Sequence, residues 1–117
     1  MKLFHYSYPT PIENITVDEY LLKRVNSGHF SDGILRLWEP SSYFVVLGLS
    51  KKETEDIHIK QCQSDRIPIL RRCSGGGTIL QGPGCFNYAY ILPISYTDTL
   101  KSLPQTTTFI LTKVKLI

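Results

Sequence analysis

A chain of 117 residues has room for one domain around a single modest core. Its hydrophobic content of 42% and charged content of 20% exclude wholesale disorder. A net charge of +3 suits an anionic ligand but is too small to argue for nucleic acid as a partner.

The first residues, MKLFHYSYPTP, lack the apolar stretch of a secretion signal. No run approaches the ~20 apolar residues of a membrane span, so a cytoplasmic protein without a membrane partner is expected. NITVDEYLLKRVNSGHF predicts a helix: Asn14 or Thr16 is available as N-cap, Asp18 and Glu19 suit the first turn, and Ser27-Gly28 supplies the stop. Val17, Tyr20, Leu21 and Val25 recur at helical spacing and predict one buried stripe. GILRLWEP and SYFVVLGLS read as strands separated by Pro40 and two serines, the second apolar enough to be buried on both faces. KKETEDIHIKQCQSDR returns to helix-friendly sequence, with Ile57 and Cys62 facing inward. IPILRR is a strand that feeds a glycine loop, and TIL and CFNYAYILPI are strands flanking the Gly82-Pro83-Gly84 turn. The tyrosines of the latter alternate at strand period and are expected to pack within the sheet and core. LPQTTTFILTKVKLI predicts a helix from near Thr107 that carries Phe109, Ile110, Val114 and Ile117. The element order implies an α+β fold with a mixed β-sheet flanked by helices, not a doubly wound one. The final apolar helix lacks a partner to bury its face, so residues 1–117 are expected to be the N-terminal part of a single catalytic domain.

The stretch RRCSGGGTILQGPGCFNYAYIL, Arg71 to Leu92, carries the chemistry. Three adjacent glycines cost backbone entropy on folding, and the return is a loop whose exposed N–H groups suit an anion, most often a phosphate. Arg71 and Arg72 precede it with guanidinium forks that match phosphate, and Ser74 adds a hydroxyl donor. Strand alternation sends the two arginines to opposite faces, so one of them is expected to meet a ligand in the loop. The bland alternative is a tight strand connection with surface arginines, since the spacing fits neither a Walker loop nor a dinucleotide fingerprint. Cys62, Cys73 and Cys85 are odd in number and contain no CxxC pair, which indicates free thiols of a reducing compartment. Cys73 has a setting that can lower a thiol pKa, but no histidine lies near it in sequence and no catalytic role is assigned to it. His5, His29 and His58 show no metal-ligand spacing, and no metal site is expected.

The whole segment, with NITVDEYLL and LWEPSSYFVVLGLSKK upstream of it, resembles the lipoate–protein ligase A family over roughly residues 12 to 115. The resemblance implies the fold shared by biotin ligases and class II aminoacyl-tRNA synthetases. It implies activation of lipoate or octanoate by ATP, with Mg2+, to an acyl-AMP, followed by transfer to a lysine of a lipoyl domain. The acceptors would be lipoyl domains of 2-oxoacid dehydrogenases or a glycine cleavage H-type protein. By position, Arg72, Ser74, Gly75, Gly76, Gly77, Thr78, Ile79 and Leu80 would hold the nucleotide and acyl-adenylate, and Trp38, Val45, Val46 and Gly48 would wall the acyl pocket. Gln81-Gly82 stands where many of these ligases have His-Asp, and Gly84-Cys85 where they have Gly-Asn. Glutamine cannot titrate, so a proton-transfer role there is lost. The family's catalytic lysine, in a Lys-x-Ser-Gly type motif, has no match, since Lys113 and Lys115 fit neither that motif nor the transferases' cysteine motif. Turnover is therefore expected to need a further C-terminal segment. The alternatives are a non-catalytic relative that binds the lipoyl ligand or carrier, and an ATP-independent octanoyl or lipoyl transferase.

Overall fold

The computed structural model describes residues 1–115 and opens with a strand that no residue pattern announces. This strand, β1 (Lys2–His5), lies parallel to β2 (Ile34–Trp38), with Lys2 opposite Ile34 and His5 opposite Leu37. A parallel pair needs a crossover, and α1 (Pro11–Asn26) provides it. The helix starts ahead of Asn14 and Thr16. Its cap is Thr10, whose hydroxyl accepts the Glu13 N–H at 3.4 Å while the Glu13 carboxylate accepts the Thr10 N–H at 3.1 Å. With Pro11 in the first turn, Thr-Pro-Ile-Glu is a complete helix-start signal. Ser27 ends the helix and Gly28 follows at φ +88°, where glycine is free of strain.

The inward stripe of α1 is rotated from the expected one. Leu21 and Val25 are buried and Val17 is half-buried, but Tyr20 is 55% exposed. The face that meets the sheet runs through Asn14, Asp18, Leu21 and Val25, steps of four, three and four residues that stay on one side of a helix. Its first half is polar, which is why an apolar-only reading misplaces it. Asn14 does not cap. It is buried, accepts the Tyr8 N–H at 3.0 Å and donates to the Tyr8 carbonyl at 2.9 Å, fastening the segment before the helix.

Two three-stranded sheets follow one plan. In the first, β2 lies between β1 and the antiparallel β6 (Asn87–Ile91). In the second, β3 (Phe44–Leu47) lies between the parallel β4 (Ile69–Arg71) and the antiparallel β5 (Ile79–Gln81). All of β3 is buried, as a central strand should be. Its crossover to β4 consists of two short helices, α2 (Glu53–Asp56) and α3 (Ile59–Ser64), separated by Ile57 in extended conformation. Ile57 and Cys62 are half-buried. Two apolar clusters form the core: Leu21, Val25, Ile34 and Ile91 between α1 and the first sheet, and Trp38, Phe44 and Val46 between the sheets. Gln81, 6% exposed, and Asn87 join β5 to β6 through reciprocal amide hydrogen bonds of 2.6 and 3.0 Å.

On β6 the inward residue is Ile91, while Tyr88 is 46% exposed and stacks edge-on against the half-buried Tyr90. The tyrosines thus occupy the outer face, not the core, because alternation gives the inner face to Asn87, Ala89 and Ile91. Beyond β6, α4 (Leu103–Lys115) begins four residues before Thr107. The hydroxyls of Thr106, Thr107, Thr108 and Thr112 each donate to the carbonyl four residues back, so the threonine run lies inside the helix. Phe109, Ile110 and Val114 are half-buried, and Ile117 lies outside the described residues. No helix among the described residues is long and apolar enough to cross a membrane.

Candidate functional site: the arginine-braced glycine loop

The loop between β4 and β5 is held from two sides. Arg71 leaves it altogether: its Nη1 donates to the carbonyls of Gly48 at 2.9 Å, Leu49 at 3.2 Å and Lys51, bracing the segment after β3. Arg72 folds over the glycines, with Nη2 donating to Gly75 O at 2.8 Å and to Gly77 O at 2.9 Å. The arginines diverge as strand alternation implies, and Arg72 is the one in the glycine loop. Gly76 sits at φ +102°, and a Cβ there would come within 2.7 Å of Arg72 Nη2. Gly48 is required for a different reason: a Cβ would run into the Gly76 carbonyl. The Arg72 N–H to Leu47 O bond at 3.0 Å and the Leu49 N–H to Ser74 O bond at 2.9 Å stitch the loop to the end of β3.

This arrangement turns loop carbonyls toward a guanidinium and leaves donors over. Among the described residues, the N–H groups of Gly75, Gly76 and Gly77 donate to no acceptor, and these glycines are exposed. Arg72 Nη1 is buried without a partner, a cost of about 1–3 kcal/mol if it stays unpaired. Free amides beside a cationic side chain fit an anion such as a phosphate. Thr78 bonds the Asp56 carboxylate at 3.2 Å, and Ile79 and Leu80 are 47% and 60% exposed on β5.

Ser74 and Cys73 border a cavity of about 480 Å³ closed by Asp18 and Leu22 of α1, Tyr90 of β6 and Ile110 of α4. Trp38, Val45, Val46 and Gly48, expected to wall an acyl pocket, do not line this cavity. Trp38 and Val46 are core residues packed with Phe44, and Gly48 is the contact point of the loop. Val45 faces a separate cavity of about 310 Å³ with Ile57, Cys62 and Leu80. Alternation along β2 puts Ile34, Arg36 and Trp38 inward under α1, so Trp38 lies in the protein interior and not at the cavity wall.

Asp18 and Arg36 escape an apolar-stripe reading of the sequence. Arg36 has no exposed surface; its Nη1 donates to Asp18 Oδ1 at 2.6 Å and Asn14 O at 2.8 Å, its Nη2 donates to Asn14 Oδ1 at 2.9 Å, and its guanidinium lies 4.8 Å from the Trp38 ring centre. Burial pushes the Asp18 carboxyl above its ordinary range, against the hydrogen bond and charge of Arg36, which pull it down. Burial likewise pushes the Cys73 thiol up, and the charges of Glu19 and Asp18 add to it. The expected thiol-lowering setting is thus corrected. Arg71 is committed to the carbonyls after β3 and Arg72 to those of the glycine loop, and burial, then the carboxylates of α1, decide the thiol.

Comparison with known proteins finds lipoate–protein ligases in both sequence and fold. A relative from Aeropyrum pernix, provisionally named a lipoate-protein ligase A, is 31% identical over 85 residues, which cover 72% of this chain and 31% of the relative. The crystal structure of a lipoate-protein ligase A bound with ATP superimposes with a TM-score of 0.67 at 21% identity, covering 76% of this chain and 35% of that one. A bi-partite lipoate protein ligase of Thermoplasma acidophilum, described together with its E2 lipoyl domain, gives 0.67 at 20% identity over 76% and 34%. The chain therefore spans about a third of the length of the proteins it matches. The sequence profile of the lipoyl protein ligase A/B catalytic domain matches residues 10–115, nearly all that the structure describes, and the chain belongs to that family.

Proposed function

We propose that this chain supplies the acyl-adenylate-binding part of a lipoate–protein ligase catalytic domain. Gly75, Gly76 and Gly77 offer their free N–H groups to the phosphate, beside the positive charge of the Arg72 guanidinium that braces the loop carbonyls. Ser74 stands at the mouth of the 480 Å³ cavity, which takes the acyl chain, with Thr78, Ile79 and Leu80 beside the nucleotide. In the reaction, a lipoate or octanoate carboxylate attacks the α-phosphorus of ATP, forming the acyl-AMP and releasing pyrophosphate; Mg2+ brought by the ATP would offset the phosphate charge, since no cluster of metal-ligating side chains lies among the described residues. The Nζ of a lipoyl-domain lysine then attacks the acyl carbonyl and AMP leaves. Acceptors of this kind are lipoyl domains of 2-oxoacid dehydrogenases or an H-type protein, in the cytoplasm. The archaeal neighbour, described as bi-partite and together with its E2 lipoyl domain, supports that partner class.

The observation that carries the reading is the loop itself, with carbonyls engaged and amides free. ATP-dependent lipoylation of a lipoyl domain, assayed with and without the complementary segment of a relative, tests it. Product should require both parts and vanish with Arg72→Ala. A co-folded pair that neither adenylates lipoate nor binds the adenylate would overturn the reading. One observation favours a binding protein without chemistry: Gln81, at the position of a titratable residue in related ligases, is spent on the amide pair with Asn87. Adenylate binding without product in the same assay would favour that form.

A further inference from the structure

We propose that Lys51 and Lys52, on the turn after β3, bind the β- and γ-phosphates of ATP and hold the pyrophosphate as it leaves. This rests on the acyl-adenylate reading of the loop and extends it to the leaving group.

Residues 48–56 run alongside the glycine loop because they are fastened to it at both ends. At the start, Gly48 lies against the Gly76 carbonyl, leaving no room for a Cβ, and the Leu49 N–H donates to Ser74 O at 2.9 Å. At the end, the Asp56 carboxylate of α2 accepts the Thr78 hydroxyl at 3.2 Å. Lys51 and Lys52 fall between these anchors. The backbone there is tightly curled: the Lys51 N–H donates to Gly48 O at 3.2 Å, and Arg71 Nη1 gathers the carbonyls of Gly48, Leu49 and Lys51. Arg71 thus fixes the turn through main-chain atoms and leaves both lysine side chains available.

Neither ammonium is spent on a carboxylate. The ion pairs among the described residues are Lys23–Glu19, Arg36–Asp18 and Lys101–Asp98. Glu53 and Glu55, the nearest acids in sequence, are exposed to water, and Asp56 is bonded to Thr78. Two unpaired cations therefore flank a loop of free amides.

The amides of Gly75, Gly76 and Gly77 serve one phosphate, the one retained in the acyl-AMP. ATP carries two more, and most of its charge with them. As a carboxylate oxygen bonds to the α-phosphorus, the bond from that phosphorus to the bridging oxygen breaks, and its electron pair leaves with pyrophosphate. Cations fixed beside the leaving oxygens stabilise that developing charge. Lysine suits the task, since it meets phosphate as a point charge on a flexible stem.

Calorimetry with AMP, α,β-methylene-ATP and lipoyl-sulfamoyl-adenosine separates the two ends of the site. Only α,β-methylene-ATP has the outer phosphates, on a bond that cannot break. The chain should bind it more tightly than AMP. The double variant Lys51→Gln/Lys52→Gln should weaken it by about tenfold or more, the scale of a hydrogen bond to a charged group. Binding of lipoyl-sulfamoyl-adenosine should stay unchanged, and a matching melting temperature should show that the Arg71 brace survives. Unchanged α,β-methylene-ATP binding in the double variant, or an equal loss for both ligands, would overturn the inference and leave the loop reading standing. So would a parent chain that binds the adenylate analogue but not α,β-methylene-ATP. A folded chain that does not bind the adenylate analogue would overturn the loop reading and this inference with it.

Discussion

Cys73 stands between Arg72 and Ser74 in sequence, yet the charges that act on it come from a helix more than fifty positions away. Burial first, then Glu19 and Asp18, hold its proton. The sign follows: with a folded-state pKa above the ordinary 9.0, the thiol stays protonated through neutral pH, and its contribution to stability is lost as pH rises from about 9 through the folded value. Iodoacetamide should therefore label Cys73 more slowly in the folded than in the urea-unfolded chain at pH 8. The midpoint of its folded-state rate profile, read by site-resolved mass spectrometry, should lie above 9. Faster labelling when folded would restore the activated-thiol reading. At this scale the glycine motif and the divergence of its arginines were legible, because adjacent residues carry them. The Asn14–Asp18–Arg36 network was not, because a polar residue on an inward stripe looks like solvent-facing sequence until its partner on β2 is placed.

The elements repeat that contrast. Strands β2 to β6 and both longer helices stand near where periodicity and turn residues put them. The Thr10–Glu13 capping box was present in the sequence and outvoted by Asn14, a stronger cap former that the fold uses for a buried brace instead. Strand β1 was invisible, since only Phe4 of its four residues turns toward the core, too little for an alternation to detect. The glycine loop joins two elements, and its integrity depends on Gly48 as much as on its own glycines. Gly48→Ala should cost about 1–3 kcal/mol in thermal denaturation, as an overpacked site does, and should weaken adenylate binding. Gly75→Ala, where a Cβ meets nothing within 4 Å, should change stability by no more than about 1 kcal/mol. Equal tolerance at both positions would contradict the stitched-loop geometry.

At the scale of the molecule, each of two sheets combines a helix-linked parallel pair with an antiparallel third strand. The free amides of the glycine loop sit where the second sheet's loop meets β3, and the cavity opens between that loop, α1, β6 and α4. The chain spans about a third of the length of the lipoate–protein ligases it was compared with, and on this account that third includes the adenylate loop. The direct measurement is the melting temperature of the chain with and without lipoyl-sulfamoyl-adenosine. Ligand at ~100 times its dissociation constant adds about 2.7 kcal/mol, which raises the melting temperature by several degrees for a domain this size. The account predicts that shift, and predicts its loss in Arg72→Ala. An unchanged melting temperature in a chain shown to be folded would contradict it.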